Sequence, residues 1–207
     1  MANPSHRPDR HDIVLASASV VRARILNDAG VACRVDPANV DESGIKADCA
    51  REGVAVETVV QRLAQAKAVA GSKRHPGCLV IGADQILECD GRRFDKPASL
   101  IEARTQLLAL RGRTHRLVTA AALVRDGAPV WQAVDDAWLE MRHFTDSFLD
   151  GYLRAVGGQA LQSVGAYQVE GLGSQLFARM TGDHFTILGL PLLPLLDALR
   201  IQGVLAS

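Results

Sequence analysis

The sequence predicts a mixed α/β protein, a β-sheet of mixed direction covered by helices, and three observations carry that expectation. Short apolar runs rich in β-branched residues alternate with helix-period segments through the first half of the chain. Two long strand-like segments, Thr114 to Val124 and Val130 to Met141, meet at Asp126-Gly127, so an antiparallel hairpin interrupts the second half. No repeat, low-complexity linker or composition break divides the 207 residues. That predicts a single domain over residues 12–207 behind a disordered polar leader of residues 1–11.

In chain order, Ile13-Val14-Leu15-Ala16 reads as a short buried strand, and the hydroxyls of Ser17 and Ser19 offer caps for a helix over Val20 to Asp28. Gly30 stops that helix, and Val31 to Val35 reads as the next strand. Val40 to Gly44 reads as a loop carrying two acids, Asp41 and Glu42. From Val56 to Lys73, Val59, Val60, Leu63, Ala66 and Val69 recur at helical spacing, and Lys67 stands oddly on that apolar face. Leu79-Val80-Ile81 begins a buried strand expected to end at Asp84, followed by a hairpin through Asp90-Gly91. Ser99 caps a helix to Leu110, ended by Gly112. After the long hairpin, Thr145 caps a helix to Val156, Gly157 to Gly173 is glycine-rich, and a last helix starts near Pro191.

Bulk properties exclude several classes of function. Lys plus Arg and Asp plus Glu each number 23, so the net charge gives no support for binding nucleic acid or an acidic membrane, and any anion site must be local. Cys33, Cys49, Cys78 and Cys89 form no Cys-x-x-Cys pair, which argues against a disulfide framework or structural zinc and for a reducing, cytoplasmic compartment. Phe185 to Leu196 is too short to span a bilayer, and the leader lacks the apolar core of a secretory signal. P-loop, dinucleotide and nucleophile-elbow motifs are absent.

Four polar groups are harder to explain by folding alone. Ser17-x-Ser19-x-x-Arg22, at a strand-to-helix junction, would combine backbone N–H groups, hydroxyls and a guanidinium into an anion site, against the plainer reading of a helix cap with a solvated arginine. Asp41-Glu42 could serve a cation or simply face water. Lys67 could snorkel or contact a phosphate. Asp84 follows a small pair, Gly82-Ala83, that would let a ligand approach the backbone, and Lys96 returns toward it from the next hairpin. An acid and lysines so disposed suit chemistry on a phosphorylated substrate. His115, at a strand start, reads as structural.

Together these pieces resemble the Maf family of nucleoside triphosphate pyrophosphatases. The resemblance runs through Leu15-Ala16-Ser17-Ala18-Ser19-x-x-Arg22, Asp41-Glu42, Ala66-Lys67-Ala68, Gly82-Ala83-Asp84-Gln85 and Asp95-Lys96-Pro97. It continues with Gly112-Arg113-Thr114-His115, Ser163-x-Gly165-Ala166-Tyr167-x-x-Glu170-Gly171 and Gly189-Leu190-Pro191, in the family's order. It implies an elongated mixed sheet flanked by helices, two-lobed with a central cleft. It also implies a homodimer and hydrolysis of a nucleoside triphosphate between its α- and β-phosphates with a divalent cation, Mg²⁺ or Mn²⁺. By motif matching, Asp84 is the general base, Ser17, Arg22, Lys67 and Lys96 bind the phosphates, and Glu42 with Asp84 holds the metal.

Val21, Gln85 and Glu170 fall on base-selecting positions. The branch that acts on dTTP and UTP usually has Arg, Thr and Gln there, and the branch that acts on 7-methyl-GTP an aromatic residue, Gln and Glu. This chain agrees with the second branch at two of the three, so a non-standard or purine-like base is expected, with a 7-methyl-GTP-specific enzyme as the alternative. A second alternative is a nucleotide-binding regulator of septum formation with little turnover.

Overall fold

Residues 13–206 are described by a computed structural model of the chain, and the expected leader, residues 1–11, lies outside them. Strand β1 (Ile13–Leu15) is wholly buried and pairs in parallel with β2 (Arg34–Val35) on one side and β3 (Leu79–Cys89) on the other. Apolar residues on both faces are what a parallel strand between helix layers requires. Helix α1 (Val20–Asp28) is capped by the Ser19 hydroxyl on Arg22 N–H and is followed by Gly30 at φ +78°. β2 is shorter than expected because Val31 N–H donates to Leu26 O and so closes the end of α1 instead of starting a strand.

The expected acidic loop is a correction. Glu42 begins a helix, α2 (Glu42–Glu52), capped by the Asp41 carboxylate on Gly44 N–H and closed by left-handed Gly53. Only Cys49 of α2 is buried, so the segment carries little helical periodicity to read. Helix α3 (Val56–Arg74) matches its expectation closely. A second correction concerns β3, which does not stop at Asp84 but runs on to Cys89, leaving Asp84 in mid-strand. Asp90 and Gly91, both at positive φ, then turn the chain into β4 (Arg92–Phe94), which pairs antiparallel with the end of β3.

Helix α4 (Leu100–Leu110), capped by Ser99, precedes β5 (Thr114–Arg125) and β6 (Ala128–Met141), joined at Asp126-Gly127 as expected. Helix α5 (Asp146–Val156), capped by Thr145, leads into three short 3₁₀ turns across the glycine-rich stretch. Strand β7 (Phe177–Thr181), helix α6 (His184–Ile187) and helix α7 (Leu192–Ile201) complete the described chain. The seven strands form one mixed sheet in the order β2-β1-β3-β5-β6-β7, with β4 paired to β3, flanked by helices as the sequence predicts.

The contacts divide the described residues into two compact units, 13–84 with 119–135 and 184–206, and 85–118 with 136–183. In the first, Leu15, Leu26, Leu79, Ile81, Leu190 and Leu195 form a closed apolar core. In the second, Leu107, Leu110, Leu139, Leu149 and Leu176 are fully buried together with a polar pair. That pair is His115 on β5 and Tyr167, whose ring nitrogen Nε2 and hydroxyl lie 2.7 Å apart. Tyr167 also meets Phe177 edge to face at 4.8 Å. The other ring nitrogen of His115, Nδ1, is buried without a hydrogen-bond partner among the described residues.

Burial pushes the His115 pKa down from 6.5 to about 4, so the ring is neutral in the fold and charges readily once unfolded. The folded state is therefore favoured in full above pH 6.5 and loses that advantage as pH falls from 6.5 toward about 4. Urea titrations at successive pH values should show the stability gap between wild type and His115→Gln narrowing as pH falls through that window, by at most about 1.4 kcal/mol per pH unit at its middle. A gap that stays constant would show that His115 does not titrate this way.

Candidate functional site

In the first unit, Lys67, Asp84 and Glu42 come together where α3 lies on β3. Alternation along a strand puts Gly82 and Asp84 on the same face. A Cβ at Gly82 would stand 2.1 Å from Ala64 O and 2.6 Å from Ala68 N, both in the backbone of α3. Of the small pair expected to let a ligand approach, Gly82 instead admits a helix. Lys67, on the third residue after Ala64, is brought down onto Asp84, and its Nζ donates to Asp84 Oδ1 at 2.6 Å. It also lies 2.9 Å from Glu42 Oε1.

Lys67 is 9% exposed, so it neither snorkels to water nor stands free; two carboxylates hold it. Glu42 reaches it because Asp41 caps α2 and makes Glu42 the first helical residue. Asp41 is consequently a cap, and a Cβ at Gly44 would collide with its carboxylate at 2.4 Å. The segment before α2 is fastened in turn. Asp36 Oδ2 accepts from Arg74 Nε and Nη2, at 3.0 and 2.9 Å, and lies 2.6 Å from His75 Nε2. Those hydrogen bonds hold the Asp36 carboxyl below its usual pKa. The pattern reading missed this latch, because nothing local in the sequence ties Asp36 to the far end of α3.

Arg22 is buried and spends its guanidinium on the protein. Nε donates to Gly189 O at 2.6 Å, and Nη1 donates to Ala83 O at 2.9 Å and to Ser17 Oγ at 3.1 Å. Burial lowers the Arg22 pKa, while the nearby Asp84 and Glu42 charges oppose that shift. One side chain thereby joins the turn after β1, the peptide preceding Asp84 and the Gly189-Leu190-Pro191 segment. Gly189 sits at φ +98°, and a Cβ there would lie 3.4 Å from Arg22 Nε and Nη2. Ser19 is the cap of α1.

Ser17, Arg22, Glu42, Lys67 and Asp84 are therefore gathered in the first unit. Val21 belongs there too, half-buried and packed on the apolar core. Gln85, Lys96 and Glu170 lie in the second unit, with Gln85 half-buried in β3 and Lys96 and Glu170 exposed. His115 and Tyr167 serve the packing of that unit, in line with the structural reading of His115.

Against known proteins, the pattern of the Maf-like protein family matches residues 12–202. The chain belongs to the Maf-like family. A relative from Paramagnetospirillum magneticum, named nucleoside triphosphate pyrophosphatase, is 56% identical over 93% of this chain and 99% of that protein. A second from Mesorhizobium japonicum, named 7-methyl-GTP pyrophosphatase, is 49% identical over 93% of this chain and 97% of its own. A third from Caulobacter vibrioides, named nucleoside triphosphate pyrophosphatase, is likewise 49% identical, over 93% and 96%. Both names thus occur among Maf-like relatives at the same identity, and identity alone does not choose between them.

The cluster depends on the approach of α3 to β3, so Gly82→Ala is a sharp test of it. The added methyl meets backbone atoms, which cannot rotate away as a side chain could. The variant should lose about 2–4 kcal/mol of stability in denaturant unfolding, far more than a glycine-to-alanine change in an open strand. Stability within about 0.5 kcal/mol of wild type would show that the contact is not tight.

Proposed function

We propose that this Maf-like chain hydrolyses nucleoside triphosphates between the α- and β-phosphates, giving a nucleoside monophosphate and pyrophosphate. The observation that carries the reading is the convergence of Asp84 and Glu42 on the buried Lys67, with the Arg22 guanidinium beside them. Two acids and two cations in one place are costly for a fold to retain on stability grounds alone. Chemistry at a phosphate uses both. The names of the 45–56% identical relatives support the same reaction.

In this reading Asp84 orients a water for in-line attack on the α-phosphorus and takes its proton. Oδ1 is held by Lys67, which leaves Oδ2 to accept from the water. Lys67 fixes that carboxylate and offers its ammonium to a phosphate oxygen. Ser17 Oγ already accepts from Arg22 and from Ser19 N–H, so its own proton is the one it has to give to a phosphate. Arg22, bound to Ala83 O and Gly189 O, holds the frame around Asp84 and adds its positive charge to the phosphate site. Lys96 is assigned to the substrate phosphates by family pattern, and in this reading its ammonium meets the leaving pyrophosphate.

The donor set fits a divalent cation that arrives with the substrate. Glu42 and Asp84 offer hard oxygen ligands, and Mg²⁺ is commonly held by one or two carboxylates with the remaining positions on phosphates and water. No group of three or more His, Cys, Asp or Glu able to hold a metal occurs among the described residues, so the triphosphate would complete the coordination. When bound, Mg²⁺ or Mn²⁺ would offset charge growing on the leaving group.

Gln85 and Glu170 incline the reading toward a modified or purine-like base, with 7-methyl-GTP among the candidates. By resemblance the enzyme is a homodimer, and four free cysteines accord with a cytoplasmic setting. No described helix is long and apolar enough to cross a membrane.

The test is pyrophosphate release by purified protein with Mg²⁺ or Mn²⁺ over a panel of standard triphosphates, dTTP, UTP, ITP and methylated GTP and UTP analogues. One subset should turn over, and Asp84→Asn should slow it by about 10²–10⁴-fold with the fold intact. Nucleotide binding with release no faster than that of the variant would overturn the enzyme in favour of a regulator.

A further inference from the structure

Lys96 is exposed, yet the chain that carries it is tied on both sides to one helix. Gln106 on α4 donates from Nε2 to Asp95 O, the carbonyl just before Lys96, at 3.1 Å. Glu102, one turn earlier on α4, accepts Ala98 N–H on Oε2 at 2.9 Å. The two side chains are joined, since Gln106 Nε2 also donates to Glu102 Oε1 at 3.3 Å. Pro97, between the two tied points, is buried. Ser99 caps α4 on Glu102 N–H, while the Glu102 carboxylate reaches past the cap residue to Ala98 N–H.

Helix capping explains Ser99 and Glu102 but not Gln106. Gln106 is 5% exposed, uses both amide hydrogens on acceptors, and leaves Oε1 buried without a partner among the described residues. The amide cannot be turned over, because Oε1 would then face the oxygens of Asp95 and Glu102. An orphaned buried acceptor is unfavourable, and an apolar residue of similar size would avoid it. What Gln106 adds is a fixed position for the Asp95-Lys96 peptide.

We infer that Gln106 and Glu102 are positioning residues that hold the Asp95–Ala98 segment so that Lys96 presents its ammonium to the pyrophosphate portion of the substrate. The inference rests on the phosphate role of Lys96 in the proposed reaction. A lysine on a free loop would lose chain entropy each time it bound; one on a clamped segment loses only its side-chain rotamers.

The experiment measures binding of inorganic pyrophosphate with Mg²⁺ by calorimetry to the full chain, for wild type, Lys96→Ala, Gln106→Leu and the double variant. Gln106→Leu conserves volume and removes the orphan, so its melting temperature should equal or exceed that of wild type, whereas its pyrophosphate affinity should fall about five- to tenfold, somewhat less than the loss of one whole charge-assisted contact. In the Lys96→Ala background the same change should have no further effect, a non-additivity that a merely structural role would not produce. Glu102→Ala, at an exposed position, should repeat the coupling.

Full affinity in Gln106→Leu and Glu102→Ala, or losses additive with Lys96→Ala, would overturn the clamp and leave the proposed reaction standing. If Lys96→Ala binds pyrophosphate as wild type does, the phosphate role of Lys96 fails, and the clamp with it. A wild type that neither binds pyrophosphate nor releases it from any triphosphate removes the reading on which both rest.

Discussion

The contact of α3 with β3 at Gly82 is the constraint on which the candidate site depends. Because Gly82 has no side chain, the carbonyl of Ala64 and the amide of Ala68 can occupy the space a Cβ would fill. That brings Lys67 within 2.6 Å of Asp84, two residues along the same strand face. Gly71 repeats the device further along α3, where a Cβ would meet Val80 at 2.9 Å and Ala16 at 3.1 Å. Small residues at the helix–sheet seam set the distance between two charged groups that are far apart in sequence.

Charge explains why such a seam is needed. An ammonium that is 9% exposed is tolerable only with anionic partners at hydrogen-bond distance. Asp84 supplies one from the strand, and Glu42 supplies the other from the first turn of α2. Arg22 is buried on different terms: carbonyls and a hydroxyl take its hydrogen bonds, and the nearby Asp84 and Glu42 charges support it without an ion pair. The result is a pair of acids and a pair of cations, each held by bonds made within the first unit.

Several elements were legible because local chemistry and tertiary packing agree. Ser19, Ser99 and Thr145 cap α1, α4 and α5, and Asp90-Gly91 and Asp126-Gly127 make the turns that their positive φ values demand. α3 announced itself because one broad face is buried. α2 did not, although Asp41, Glu42, Arg51 and Gly53 are the residues expected at the two ends of a helix. With only Cys49 buried, there was no apolar stripe to join the ends. β7 failed for a related reason. Four of its five residues are exposed on an edge strand, and exposed edges carry little alternation.

For the candidate site, the resemblance to the family singled out Ser17, Arg22, Glu42, Lys67 and Asp84, and the fold brings these five together in the first unit. Sequence by itself determined the family, the mixed α/β class and the inventory of charged groups, because those follow from local periodicity, turn chemistry and motif order. Only the tertiary structure decided what each group touches: that Gly82 admits a helix, that Asp41 is a cap, that Arg22 is bound to Gly189 O and Ala83 O, and that Gln106 donates to the carbonyl before Lys96. The physical reason is that a hydrogen bond is settled by distances of a few tenths of an ångström between atoms that the chain brings together from far apart, and no local pattern encodes such a distance.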